Sequence, residues 1–120
     1  MLLKLNDYEG KVEIDDAIAQ SIIELNRKGF RTFACCAGHD RPDSYSGYVC
    51  FDARLLRKYG EPFGWRRDVD IYEDCDEEKY WKQSKRTIRY VLPDENKQER
   101  IGLMMETLRA WVDGLPNINR

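Results

Sequence analysis

Phe30-Arg31-Thr32-Phe33-Ala34-Cys35-Cys36-Ala37-Gly38-His39 is the stretch that decides the fold. Residues 30–36 are aromatic, β-branched or small with a single charge, a composition that fits a strand. Residues 37–46 (Ala-Gly-His-Asp-Arg-Pro-Asp-Ser-Tyr-Ser) are turn formers and read as a loop. Gly47-Tyr48-Val49-Cys50-Phe51 then resumes as a strand. The two strands read as a hairpin with a long connection, which sets Cys35–His39 at a sheet end. Long loops on rigid strands are where function concentrates.

Working outward, the segment before this strand is a helix. Asp15 and Asp16 stand where a cap and a first-turn acid belong. Ile18, Ile22 and Leu25 follow at helical spacing, and Ile23 widens the stripe. Arg27 and Lys28 suit the last turn, and Gly29 suits the left-handed position beyond it. The spacing predicts a helix over 15–28, preceded by a short strand at 11–14. Downstream, 53–59 reads as a short helix stopped by Gly60 and Pro62, and 65–73 and 84–92 read as strands. Pro93 ends the second, and Asp94 is expected to cap a last helix over 95–113. There Ile101, Met104, Met105, Leu108, Trp111 and Val112 recur at helical spacing until Gly114 and Pro116. The expected fold is α+β: a two-layer domain with a mixed or antiparallel sheet packed by two main helices.

The 120 residues suit a single domain spanning 1–120. A chain of this size buries enough surface to form a core without disulfides or metal. Charged residues make up 35% of the chain, yet the net charge is -2, so both signs are mixed over the surface. That is not the profile of a generally basic nucleic-acid binder, although a local basic patch remains open. No apolar run approaches a membrane span, and Met1–Leu5 is too short for a signal-peptide core. The expectation is a cytoplasmic protein with no membrane partner, whose cysteines are thiols.

In the loop, Gly38 permits a turn other residues resist and a close approach to the main chain. His39, the only histidine, can act as a base or hydrogen-bond a ligand. Alternation along the strand puts one of Cys35 and Cys36 in the core and the other towards the loop. Cys36 and His39 are therefore the candidates for catalysis. Arg31, Cys36, Gly38, His39 and Arg41 are the candidates for ligand binding. Cys35, Cys36, His39 and Cys50 supply zinc-type donors, but adjacent cysteines lack the usual knuckle spacing, so no metal site is predicted.

The run Leu25-Asn26, Gly29-Phe30-Arg31-Thr32, Cys36-Ala37-Gly38-His39 and Tyr48-Val49-Cys50-Phe51 resembles a group of small phage and bacterial proteins. They share a Leu-Asn-x-x-Gly-aromatic-x-Thr helix end, a Cys-x-Gly-His loop and an aromatic strand. It is more distantly similar to the start of the wybutosine-synthesising tRNA methyltransferases, where a like helix and strand lead into Ser-Cys-Ser-Gly-Arg. Cys36 and Gly38 match that motif, while His39 stands in place of Arg and Ala37 in place of Ser. The resemblance covers about residues 14–52. It implies a shared local fold and, if there is a reaction, a transferase using S-adenosylmethionine; no cofactor is otherwise required.

Residues 68–78 hold seven acids, followed by Lys82, Lys85, Arg86 and Arg89. A hairpin of 65–73 with 84–92 neutralises much of that charge by cross-strand pairing. Two binding readings compete with this one. The acids Asp70, Glu73, Asp74, Asp76 and Glu77 could mimic phosphates and occupy a basic host protein, as a phage inhibitor of host defence does. Alternatively, the basic run Lys82, Lys85, Arg86 and Arg89, with Arg31, Arg41, Trp65 and Tyr90 close to it, could receive a phosphate or a base. The first expectation is a phage-type binding protein that takes a nucleotide or nucleic acid at the Cys36-Gly38-His39 loop. The inhibitor reading is the alternative, the methyltransferase-like enzyme comes third, and a homodimer fits any of them.

Overall fold

The computed structural model describes residues 1–3, 12–51, 58–67 and 86–118. In chain order the elements are β1 (Leu2–Leu3), β2 (Val12–Glu13), α1 (Asp16–Arg27), β3 (Thr32–Cys36), β4 (Ser46–Phe51), β5 (Arg66–Arg67), β6 (Arg86–Val91) and α2 (Lys97–Gly114). β1 and β2 form a two-stranded ladder. The other four strands form one sheet in the order β3-β4-β6-β5, antiparallel throughout. The fold is α+β; among the described residues it has two helices and a four-stranded antiparallel sheet, with no parallel strand pair. No helix among the described residues is long and apolar enough to cross a membrane.

β3 and β4 pair around the long loop as expected. Of the expected pairing of 65–73 with 84–92, β5 meets β6 through Arg66↔Arg89 and Arg67↔Ile88, and residues 68–85 lie outside the described residues. Paired residues share a face, so the register sorts the sheet. Cys35, Val49 and Ile88 line up on the side facing the helices, where Val49 and Ile88 are fully buried. Cys36, Tyr48, Arg89 and Arg66 line up on the opposite side.

The core joins Ile18, Ile22 and Leu25 of α1 to Ile101, Met104, Leu108 and Val112 of α2 over Val49, Ile88 and Tyr90. Each such side chain contributes about 1.5–3 kcal/mol by leaving water. Met105 and Trp111, read as part of the same stripe, are only partly buried against it. Trp65 packs edge-on to Tyr90 with centroids 4.9 Å apart, and its indole N–H donates to the Met104 carbonyl at 3.3 Å.

The helix ends hold most of the surprises. α1 begins after Asp15 as expected, and Gly29 takes the left-handed conformation (φ 98°) just beyond it. α2 starts two residues later than the sequence suggests: Asn96, not Asp94, is the N-cap, in a left-handed conformation (φ 59°). Asp94 and Glu95 form a bend first, and the left-handed Asn96 then turns the chain into the helix. Two lysines are buried. Lys28 donates to the carbonyls of Val112, Asp113 and Leu115 at 2.8, 3.0 and 2.7 Å, so one cation at the end of α1 caps the end of α2. Lys97, at the start of α2, donates to the carbonyls of Arg41 and Ser44 in the loop. Of the expected helix at 53–59, only Lys58 and Tyr59 lie within the described residues, and they are helical.

Candidate functional site

The loop after β3 is built from four directions. Asp15, at the head of α1, accepts the Ala37 N–H at 2.9 Å. Tyr90 of β6 donates its hydroxyl to the Ala37 carbonyl. Ser44 Oγ accepts the His39 N–H at 2.9 Å, and Lys97 holds the far side of the loop. Gly38 has φ +91°, and a Cβ there would lie 2.7 Å from the Tyr90 hydroxyl. Its conformational freedom is thus spent on packing the loop against Tyr90.

This scaffold brings Cys36 and His39 together, with Sγ 3.6 Å from Nε2. The Gly38 N–H also points at Cys36 Sγ, at 3.4 Å. Asp15 completes a group of three donors whose ligand atoms all lie within 4.8 Å of one another. Burial pushes the Cys36 thiol above its ordinary range, and the Asp15 carboxylate adds to the rise; the Gly38 N–H opposes it. Cys35 faces the core, where burial pushes its thiol up to about 12. Cys50 pairs across from Ala34, away from the group.

Of the arginines named from the sequence, only Arg41 comes near, its charge opposing the rise at the Cys36 thiol. Arg31 precedes β3 and sits at its opposite end, about 17 Å from Cys36 at the usual strand rise. Arg41 is exposed and pairs with Asp43 at 3.1 Å. Trp65 and Tyr90 are 3% and 1% exposed, so neither offers a ring to a ligand. The acids at 68–78, including Asp70, Glu73, Asp74, Asp76 and Glu77, lie outside the described residues.

A second concave surface lies on the other side of Tyr90. A groove of about 640 Å³ is lined by Phe63, Arg66, Arg89, Val91 and Arg100, with Gly64, Trp65 and Tyr90 at its base. Three of these residues are arginines, contributed by β5, β6 and α2. Arg89 lies over the Tyr48 ring, 5.2 Å from its centroid, and donates to Ser46 Oγ at 3.1 Å. Phe63 is 87% exposed, a large apolar ring left in water at the rim. In the sequence Arg89 stands out only within a basic run, and nothing marks Phe63, Arg66 or Arg100. They are distant in sequence, and the fold joins them.

No family model, curated protein or solved structure matches the chain. The site is therefore read from its own chemistry.

Proposed function

We propose that the protein binds a nucleotide or a short single-stranded stretch of nucleic acid, with phosphate seated in the Arg66–Arg89–Arg100 groove. The observation that carries this is the register Arg66↔Arg89. Arginines on neighbouring strands offer a phosphate charge-assisted, bidentate hydrogen bonds. Arg100 adds a third donor from the helix layer, and exposed Phe63 offers a face on which a base can stack. The groove adjoins the loop at Tyr90, a residue of the groove wall whose hydroxyl holds Ala37.

Fluorescence anisotropy with labelled single-stranded DNA and RNA, and calorimetry with mononucleotides, test the reading. Arg66→Glu and Arg100→Glu should each weaken binding at least tenfold. Each should also flatten the salt dependence by about 0.7 in log–log slope, the share of one phosphate contact on a single strand. Phe63→Ala should cost about 1–3 kcal/mol. Absence of binding at low salt, or binding indifferent to both charge reversals, refutes it.

A further inference from the structure

We propose that Asp15, Cys36 and His39 form a binding site for a divalent transition-metal ion, zinc being the best match. Tetrahedral zinc holds a thiolate at about 2.3 Å and an imidazole nitrogen at about 2.0–2.1 Å, which places sulfur and nitrogen about 3.6 Å apart. Cys36 Sγ and His39 Nε2 are 3.6 Å apart. An ion can therefore enter between them with little change in their spacing. Asp15 brings the third donor within the 4.8 Å spread of the group. The mixture of thiolate, imidazole and carboxylate suits zinc or cobalt and disfavours magnesium and calcium, which take oxygen donors.

The surroundings match what a metal site requires beyond its donors. Ligands are usually oriented by hydrogen bonds from behind. Asp15 Oδ2 accepts the Ala37 N–H, the Gly38 N–H meets Cys36 Sγ, and the His39 backbone is fixed by Ser44. Charge balances as well. When the ion enters, the Cys36 proton leaves to solvent, and thiolate and carboxylate together neutralise a divalent cation. The positive N-terminal end of α1, worth about half a unit charge, lies beside Asp15 and favours the anionic donors that hold the ion. Three protein donors leave a fourth position for water or for a ligand atom, the arrangement of reactive rather than structural zinc sites. The donor set also differs from the one spacing alone suggests: Cys35 is turned to the core and Cys50 lies away from the group, while an acid read as a helix cap takes their place.

Titration of the metal-free protein with cobalt(II), then zinc, provides the test. One equivalent of cobalt should give a thiolate-to-cobalt charge-transfer band that zinc displaces. Cys36→Ser should abolish the band, His39→Ala should weaken cobalt binding at least tenfold, and Cys50→Ser should leave it unchanged. Because a loop variant can fail to fold, the wild-type protein carries a second arm. Zinc should slow alkylation of Cys36 at least tenfold, read by peptide mass spectrometry, and leave Cys50 unaffected. Absence of the band, a band that survives Cys36→Ser, or alkylation of Cys36 indifferent to zinc overturns the proposal.

Discussion

Replacing Lys97 with Met removes one ammonium group and keeps most of the stem's packing. In the native fold this ammonium donates to the carbonyls of Arg41 and Ser44, and the lysine is 5% exposed. A hydrogen bond from a charged donor contributes about 1.5–3 kcal/mol net, and a buried acceptor left without a partner costs about 1–3 kcal/mol. Arg41 is on the surface, so water can replace its bond; Ser44 is buried, so its carbonyl carries the larger cost. The contact of Lys97 with the ring of Tyr45, an exposed residue, adds about 0.5 kcal/mol. Recovered desolvation of the cation offsets part of the total. The expected loss is about 2–4 kcal/mol, which for a domain of this size lowers the melting temperature by about 6–20 °C. Urea unfolding followed by tryptophan fluorescence and a calorimetric melt both measure it. A change below about 0.5 kcal/mol would refute the reasoning, since the loop carbonyls would then be satisfied without the lysine. Tyr45→Ala should shift stability by less than about 1 kcal/mol, which separates the hydrogen bonds from the ring contact.

Four further outcomes follow from the same structure. Gly47→Ala should cost about 3 kcal/mol or more in urea unfolding, because its Cβ would lie 2.2 Å from Tyr90 Cε1 and 2.9 Å from the Ala37 carbonyl. Gly102→Ala, in open space on α2, should instead stabilise by about 0.5–1 kcal/mol in the same assay. Lys28→Met should destabilise by about 2–4 kcal/mol by stripping three carbonyls at the end of α2, seen as faster amide hydrogen exchange over residues 110–115. The Cys35 thiol is raised in the fold from 9.0 to about 12, so its contribution is complete below pH 9 and is lost as pH rises towards 12. Denaturant titrations at rising pH should show a steeper alkaline loss of stability in the wild type than in Cys35→Val; equal slopes would count against the assignment.

The fold was legible where the chain is periodic. Ile18, Ile22 and Leu25 announce α1, Ile101 to Val112 announce α2, and the break at residues 37–46 announces the β3–β4 hairpin. Each is a local signal of burial repeating at the period of a helix or strand. The sorting of Cys35 inward and Cys36 outward was legible for the same reason. The loop's position was legible too, but its support was not: Tyr90 and Lys97 reach it from 53 or more residues away, and Asp15 from 22. Asp15 looked like a cap because an acid before an apolar helix usually is one. In the structure it makes no side-chain cap bond and turns to the loop instead. The pairing of 65–73 with 84–92 already set Arg66 beside the strand of Arg89, but the packing of α2 is a tertiary property, and no pattern says that Arg100 will stand beside them.

The two buried lysines also give the molecule internal reporters. Acylating reagents attack amines that meet solvent, so exposed lysines react at once while Lys28 and Lys97 must wait for the fold to open around them. The two report on different events: Lys28 on release of the far end of α2, Lys97 on release of the loop from its beginning. Timed labelling of these two amines would therefore reveal whether the loop loosens on its own or only when the helix lets go.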